Sequence, residues 1–352
     1  MIDKIKLNKI IINYYYFIIS VIIFYLDLKR FYILLLMKFL LLIISIMSLK
    51  TSVMSLKPYI SFKKHILDKS NNKYDSIIPI LNAFEKSCRR INKVIKCSVF
   101  NDLNKELNIT NVHNEKQIKV DILSNNIMKK LLLNLECVNS IISEEEEHIC
   151  YNSEDGKYIV AFDPLDGSSN IKSNLPTGTI IGIYTKNSNK IIAAGYCLYS
   201  SSVSLVLSYK NSVDMFTYDD RSNNFILTKS NMKIPNGNTY SFNLENLKLN
   251  DFRSNNKNSF RYTGALVADA HNILINGGLF GYLSTQIHKN GKLRLLYEAK
   301  PISKIITDAG GSAIDSNRNI LDIPFTDIHQ RIPLFFGNDE EINKLRSFIL
   351  IS

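Results

Sequence analysis

The segment Phe162-Asp163-Pro164-Leu165-Asp166-Gly167-Ser168-Ser169-Asn170 combines two aspartates around a proline with a Gly-Ser-Ser turn. It follows directly on a short apolar run at residues 158–162, which is typical of a β-strand that ends at a rigid sheet edge. Pro164 restricts the backbone between the two aspartates, so that both can face one point with the Leu165 carbonyl between them. Hard oxygen ligands of this kind favour Mg²⁺ or Mn²⁺ over zinc.

The same region also carries the parts of a phosphate site. Gly167, Ser168 and Ser169 form a small turn that offers backbone N–H groups and hydroxyls to an anion. Upstream, residues 144–147 are a run of glutamates. Taken singly, an acidic run is typical of a solvated face, and Asp-Pro followed by Asp-Gly is typical of a surface turn. Together they indicate metal-assisted hydrolysis of a phosphate.

The composition excludes some classes of protein. The chain has 352 residues and a formal net charge of +11, but its Lys and Arg residues form no stripe with interleaved aromatics. We therefore predict no nucleic-acid partner. The five cysteines are scattered and form no CxxC pair, which predicts reduced, mostly buried thiols.

The N-terminal region is strongly apolar. Residues 10–26 and 31–49 are two apolar runs, each close to the length that spans a bilayer. From Met37, a short basic start and an apolar stretch are typical of a signal peptide. We predict that residues 1–57 are a targeting segment, directed to the secretory route or a plastid-like organelle. The alternative is a mis-extended gene with Met37 as the true initiator, which predicts a cytoplasmic protein.

Helical patterns begin after this segment. Residues 77–95 carry apolar side chains at steps of three and four, which predicts an amphipathic helix with Glu85, Lys86, Arg89 and Arg90 on its outer face. The polar residues 101–119 predict a surface loop, after which Asp121 opens a second helix.

Strand patterns follow from Tyr158 onward. Short apolar runs separated by polar links predict an antiparallel meander as far as Ser208. Further helices are expected at residues 263–275 and 293–309, and a polar stretch at residues 231–258 predicts a domain boundary.

Several motifs in register resemble the class I fructose-1,6-bisphosphatases, within the lithium-sensitive phosphatase superfamily that also holds inositol monophosphatases. The segment 162–170 resembles the family signature, and the resemblance runs from about Tyr74 to the C-terminus. The other matching motifs are Ser143-Glu144-Glu145, Lys157-Tyr158, Gly178-Thr179, Arg261-Tyr262, Val267-Ala268-Asp269-Ala270-His271, residues 290–298 and residues 326–331. Motifs that match together in order are far more specific than any one of them.

The resemblance implies a fold and a division of the chain. The fold is α+β, a layered α-β-α-β-α sugar-phosphatase architecture with two α/β subdomains. The N-terminal domain, residues 58–230, would carry the metal site, and the C-terminal domain, residues 231–352, would bind the substrate.

The resemblance also implies a role for individual residues. Two or three Mg²⁺ ions per subunit, with Mn²⁺ as a substitute, would be held by Glu144, Glu145, Asp163, Asp166, Glu298 and the Leu165 carbonyl. The phosphate being removed would lie on Asp166, Gly167, Ser168 and Ser169. The other phosphate and the sugar would be held by Asn243, Tyr262, Tyr282 and Lys292. Water would be activated by Asp121, Glu115 and Glu145.

A shared site is implied as well, because Arg261 would reach into the neighbouring subunit. This predicts a homodimer or homotetramer. The activity implied is hydrolysis of fructose 1,6-bisphosphate to fructose 6-phosphate and phosphate, a step of gluconeogenesis. The alternatives are a sedoheptulose-1,7-bisphosphatase, an inositol- or nucleotide-phosphate phosphatase, and a non-catalytic relative that acts as a binding or regulatory protein.

The sequence departs from the family pattern at several positions. Glu115 replaces the usual aspartate, Asn246 replaces a tyrosine, and Lys172 replaces an aspartate. The residues that enclose AMP in inhibited members are largely missing at positions 73–78, and Thr185 stands in place of an arginine. We therefore predict no strong inhibition by AMP. The cysteine-rich insertion of light-regulated members is also absent.

Overall fold

The computed structural model describes most of the chain. The described residues are 2–53, 59–70, 75–98, 100, 101, 103, 106–110, 116–243, 259–284 and 288–351. They divide into two compact units, residues 1–59 and residues 60–352. The first unit contains helix α1 (Ile2–Val53). Within the described residues, no helix combines the length and the apolar character needed to span a bilayer.

The second unit alternates helices and strands. Its helices are α2 (Phe62–Ser70), α3 (Ile78–Lys96), α4 (Lys119–Leu132), α5 (Leu266–Asn276), α6 (Lys300–Asp308) and α7 (Asp339–Ile351). Its first strands are β1 (Glu106–Thr110), β2 (Lys116–Ile118), β3 (Val138–Ser143), β4 (Cys150–Tyr151), β5 (Tyr158–Asp166), β6 (Thr177–Thr185), β7 (Ile191–Tyr199), β8 (Val203–Tyr209), β9 (Ser212–Asp219) and β10 (Asn224–Lys229). The later strands are β11 (Thr239–Phe242), β12 (Ser259–Phe260), β13 (Gly278–Tyr282), β14 (Leu293–Arg294), β15 (Ser312–Ile314), β16 (Arg331–Ile332) and β17 (Leu334–Gly337).

The larger sheet has eight strands in the order β10-β9-β8-β7-β6-β5-β3-β4. Strands β5 to β8 form the predicted antiparallel meander, β9 and β10 continue it beyond the predicted end at Ser208, and β3 pairs with β5 in parallel. Neighbouring side chains of β6 enter different cores: Ile181 packs with the residues of α3 and α4, whereas Ile180 packs with those of α5 and α6. Both faces of this sheet are therefore covered by helices.

The smaller sheet has five strands in the order β12-β11-β13-β17-β15. On its inner face, Phe280 and Phe336 stack with ring centroids 4.6 Å apart and join the core of α5 and α6. On its outer face, Leu279 and Phe335 pack against Leu345 of α7. The order of layers is helix, sheet, helix, sheet, helix, which confirms the α+β fold that the resemblance implies.

One prediction about α3 is wrong. Its apolar pattern gives the helix correctly, but Glu85 is buried rather than on the outer face, with 2% of its surface exposed. The carboxylate pairs with Arg89 one turn later, at 2.8 Å from Nε. Burial raises the pKa of Glu85 despite this partner. The helix packs against neighbours on more than one side, so the buried arc is wider than the apolar stripe.

Four other features of the elements also differ from the predictions. The polar stretch at 101–119 contains the hairpin strands β1 and β2, and the polar stretch at 231–258 contains β11. The helix expected from residue 293 begins only at Lys300, where Pro301 occupies its first turn. Helix α4 begins at Lys119, two residues before Asp121.

Of the five free cysteines, only Cys88 and Cys197 are buried.

Candidate functional site

A cavity of about 480 Å³ opens between the two sheets of the second unit. Acidic side chains form one wall of it, the turn after β5 forms the floor, and aromatic and basic side chains form the opposite wall. The predicted site residues that line it are Asp121, Glu144, Glu145, Asp163, Leu165, Asp166, Gly167, Ser168, Ser169, Tyr262, Tyr282, Lys292 and Glu298.

Asp163 is placed by a bulge in β5. The register with β6 pairs Asp163 with Ile180 and then shifts, so that Asp166 pairs with Gly178. Pro164 lies inside this bulge, where no hydrogen bond between the strands requires the N–H that proline lacks. Its carbonyl accepts a hydrogen bond from the Thr179 hydroxyl at 2.9 Å. The Leu165 N–H donates to the Asp163 carboxylate at 2.9 Å. The bulge thereby fixes the carboxylate at the edge of the sheet.

Asp166 is held by the N-terminus of α5. Its carboxylate accepts hydrogen bonds from the N–H groups of Leu266 at 3.1 Å and Val267 at 2.7 Å. These are among the N–H groups that a helix leaves without partners in its first turn. Gly178 makes this approach possible, because a Cβ there would lie 2.4 Å from the Cβ of Val267.

Glu298 reaches the same point from a different element. It lies in a π-helical turn (Leu295–Ala299) between β14 and α6, and its carboxylate accepts a hydrogen bond from the Arg294 N–H at 2.6 Å. π-Turns are rare and occur frequently at functional sites. The helix expected from residue 293 is therefore preceded by a π-helical turn, which carries Glu298.

The three carboxylates form a compact buried cluster. One oxygen each from Asp163, Asp166 and Glu298 lie within 4.8 Å of one another. Burial, together with the charges of Glu144, Asp166 and Glu298, raises the pKa of Asp163 well above its usual range. Burial also raises the pKa of Asp166 to about 7, although its two backbone donors act in the opposite direction. Buried like charges at such distances are relieved either by protonation or by a bound cation, and an all-oxygen donor set fits a hard divalent ion.

The glutamate wall continues this cluster. The Glu144 N–H donates to the Phe162 carbonyl at 3.2 Å, so the residue continues the pairing of β3 with β5. Arg294, which is 2% exposed, lies 3.5 Å from the Glu144 carboxylate. Asp121 lies in the first turn of α4, where its carboxylate accepts the Ile118 N–H at 2.8 Å.

The floor of the cavity is a tight turn. Gly167 has φ of +70°, and a Cβ there would lie 2.5 Å from the Ala265 Cβ, so only glycine fits. A 3₁₀ turn (Ser168–Ser173) follows. The Asn170 side chain holds it in place by donating to the carbonyls of Pro176 at 2.9 Å and Thr263 at 3.1 Å.

The opposite wall brings together only some of the predicted substrate residues. Tyr262, Tyr282 and Lys292 line the cavity, whereas Asn243 and Arg261 do not. Asn243 follows β11 and is 5% exposed, and its side-chain amide has no hydrogen-bond partner among the described residues. Arg261 is exposed on the surface.

Three predictions lie outside the described residues. They concern Glu115, Asn246 and the segment 73–74 of the AMP region.

Some cavity residues were missed by the sequence reasoning. Arg294 and Asp269 lie inside matching motifs but received no role, although both line the cavity. Asp269 accepts the Thr263 N–H at 3.1 Å, and burial raises its pKa to about 6. Lys172, seen only as a departure, also lines the cavity. Their place in otherwise matching motifs was the signal that pointed to them.

A histidine links the two segments that carry the acidic side chains. The Tyr297 hydroxyl donates to Nδ1 of His329 at 2.9 Å, and Nε2–H donates to the Glu146 carbonyl at 3.0 Å. Since a carbonyl can only accept, the ring is protonated on Nε2 in its neutral form. Burial lowers the pKa of His329, which favours that form.

Comparison with known proteins identifies the family. The model of the fructose-1-6-bisphosphatase N-terminal domain matches residues 60–230, and that of the C-terminal domain matches residues 223–349. The chloroplastic fructose-1,6-bisphosphatase of Pisum sativum is 36% identical over 316 residues, which cover 77% of this chain and 78% of the relative. The class 1 fructose-1,6-bisphosphatase of Persephonella marina is 38% identical over 291 residues, covering 76% of this chain and 91% of the relative.

Solved structures agree with this result. The holo form of Leishmania major fructose-1,6-bisphosphatase superposes with a TM-score of 0.78 at 32% identity, covering 83% of this chain and 99% of that one. Its apo form superposes with a TM-score of 0.74 at 30% identity. The family models, the relatives and the structures cover the part of the chain that forms the cavity. The chain therefore belongs to the fructose-1,6-bisphosphatase family.

Proposed function

We propose that the chain hydrolyses the 1-phosphate of fructose 1,6-bisphosphate, with Mg²⁺, to give fructose 6-phosphate and phosphate. It is a phosphatase of carbohydrate metabolism, and the proposed step belongs to gluconeogenesis. The observation that carries the proposal is the buried cluster of Asp163, Asp166 and Glu298 directly beside the Gly167 turn. Family membership supplies the substrate, because the relatives named above are fructose-1,6-bisphosphatases.

The proposed metal centre uses acidic side chains that fit a hard divalent ion. Glu144, Glu145, Asp163, Asp166 and Glu298, with the Leu165 carbonyl, would hold two or three Mg²⁺ ions, and Mn²⁺ would fit the same donors. Ions bound there would stabilise the charge on the phosphoryl oxygens and would lower the pKa of water.

The chain's own residues position the substrate and move the proton. The N–H groups and hydroxyls of Gly167, Ser168 and Ser169 would orient the phosphate that leaves. Asp121 and Glu145 line the cavity where they can accept a proton from water, and Glu115 would assist them.

The opposite wall of the cavity would bind the second phosphate. Lys292 and the hydroxyls of Tyr262 and Tyr282 suit a phosphate and a sugar ring, with Asn243 completing the set. Binding energy from this remote group would orient the reacting bond.

Assembly and subtype are further proposals. The exposed position of Arg261 supports a role in a neighbouring subunit's site, and hence a homodimer or homotetramer. The class I subtype and the link to inositol monophosphatases rest on the motifs given above. The matched ranges of the family models support a division near residue 230, and the apolar N-terminus supports a targeting role for residues 1–57.

A panel of substrates tests the proposal. Purified protein is given fructose 1,6-bisphosphate, sedoheptulose 1,7-bisphosphate and inositol 1-phosphate, with Mg²⁺ or with EDTA, and released phosphate is measured. We expect the highest kcat/KM for fructose 1,6-bisphosphate and no turnover in EDTA. Faster turnover of the sedoheptulose compound would reassign the substrate, and no turnover of any compound would favour the non-catalytic alternative.

A further inference from the structure

A second cavity lies away from the candidate active site and has a volume of about 600 Å³. The loop between β6 and β7 forms one side of it, the first turns of α6 form another, and residues 321–325 close it. It shares no lining residue with the first cavity.

Lys300 is the unusual side chain of this cavity. It is 6% exposed and lines the cavity, and among the described residues its ammonium has no hydrogen bond and no ion pair. Lys304, one turn later, lines the same cavity but is paired with Asp308 at 2.7 Å. Burial lowers the pKa of Lys300, and the charge of Asp322, which acts in the opposite direction, does not fully offset this effect, so an anion that reaches the ammonium from the cavity would be stabilised there.

The rest of the lining suits an anion that carries an apolar group. Lys190 adds a second ammonium to the lining. Asp322 adds a carboxylate, whose negative charge offsets part of the positive charge of the lysines. Ile323 and Phe325 supply an apolar wall, which a bare inorganic ion would leave uncovered. The lining therefore combines charged and polar side chains with an apolar wall, and a concave pocket of this size with convergent charged groups suits a small molecule.

We propose that this cavity is a second ligand site, which takes a small phosphorylated molecule with a compact ring or apolar body. Its phosphate lies between Lys300 and Lys190, and its apolar part lies against Phe325. The proposal is independent of the reaction at the first cavity, because it concerns binding alone.

Calorimetric titration with phenylphosphonate tests this proposal. The probe carries a dianion on a ring and cannot be hydrolysed as an ester. The full chain is titrated in EDTA in a Lys292→Met background, which weakens binding in the first cavity. We expect binding to persist in this background and to fall at least about tenfold when Lys300→Met or Lys190→Gln is added.

The variants separate the possible outcomes. Lys190 is exposed, so Lys190→Gln keeps the test valid if Lys300→Met fails to fold. Lys186→Gln is the matched control, because Lys186 lies on the same loop, donates to the Glu154 carbonyl at 2.7 Å and does not line the cavity. Unchanged binding in Lys186→Gln supports the site. Equal binding in the background and in Lys190→Gln, or no binding in the background, would overturn it.

Discussion

At the scale of residues, each acidic side chain of the cluster is held by a backbone N–H. Leu165 donates to Asp163, Leu266 donates to Asp166, and the N–H of Arg294 donates to Glu298. These donors fix the direction of each carboxylate without cancelling its charge. The cluster is therefore preorganised for a cation, and most of the cost of assembling it is met during folding.

Replacing Asp166 tests this arrangement. Asp166→Asn is expected to lower kcat for Mg²⁺-dependent phosphate release by at least about 100-fold, because an amide is a weaker ligand and removes one charge. The fold should persist, since the amide oxygen still accepts one of the two N–H groups and the repulsion from Asp163 falls. Steady-state kinetics and thermal denaturation measure the two effects.

Asp315→Asn is the matched control for that variant. The Asp315 carboxylate also accepts backbone N–H groups, from Ser316 and Asn317, but it does not line the cavity. We expect this variant to lower Tm and to leave kcat unchanged. A reversed pattern, with activity lost only in Asp315→Asn, would contradict the placing of the catalytic centre.

The metal-free cluster also predicts a dependence of stability on pH. Asp166 has a pKa of about 7 in the folded protein, against ~3.9 in an unfolded chain. The folded state binds this proton more tightly, so the contribution of Asp166 to stability is fully present below about pH 4 and is lost as pH rises to about 7. In EDTA, Tm should fall over this range, and Mg²⁺ should raise Tm most above it. If thermal scans in EDTA showed a Tm that rises with pH across this window, the raised pKa of Asp166 would not be the cause of the pH dependence.

At the scale of elements, the site depends on a strand bulge, a helix terminus and a π-turn that meet. Of these three features, the sequence predicts the end of the strand, because Asp163, Pro164 and Gly167 are themselves the signals for a strand that breaks into a turn. It does not predict that the first turn of α5 binds Asp166, since that contact joins residues 100 positions apart. The sequence likewise predicts a regular helix at Glu298 and does not predict the π-turn (Leu295–Ala299) that carries it.

The burial of helix α3 is also predicted only in part by its sequence pattern. The apolar period of α3 gives its position, yet Glu85 lies inside because the helix has packed neighbours beyond the apolar stripe. Likewise, the strands β1 and β11 form in polar stretches, where pairing rather than side-chain pattern decides the conformation.

The packing of α5 on β6 gives a prediction at this scale. Gly178→Ala places a Cβ 2.4 Å from the Val267 Cβ, so the start of α5 must move away from Asp166. We expect a loss of about 1–3 kcal/mol in the free energy of unfolding, together with a lower kcat. Chemical denaturation and phosphate release measure these changes.

A compensating substitution provides the control. Val267→Gly removes the three atoms that the new methyl group meets. The double variant should therefore regain part of the activity that Gly178→Ala loses, relative to the sum of the two single effects. Strict additivity would show that the contact does not set the position of α5.

At the scale of the whole molecule, the layered unit of residues 60–352 contains every described residue of the cavity. Its acidic wall draws on segments from Asp121 to Glu298, which become neighbours only when both sheets pack on α5 and α6. Sequence motifs located these segments, because each carries its own signature, but their distances come from the fold.

Because every described residue of the cavity lies in residues 60–352, we can predict how a shortened chain behaves. A protein that begins at Ile60 should fold and keep kcat for fructose 1,6-bisphosphate within about twofold of the full chain, since no cavity residue is removed. Circular dichroism and parallel assays of the two proteins check this. A folded but inactive short chain would show that residues 1–59 take part in catalysis.

The buried carboxylates and the Gly167 turn are proposed to act on the 1-phosphate and not on the 6-phosphate. Phosphorus NMR of fructose 1,6-bisphosphate incubated with the protein tests it most directly. With Mg²⁺, the 1-phosphate resonance should disappear as inorganic phosphate appears, while the 6-phosphate resonance remains; with EDTA, the spectrum should not change. Retention of both sugar phosphates in the presence of Mg²⁺, or release of the 6-phosphate first, would contradict the account.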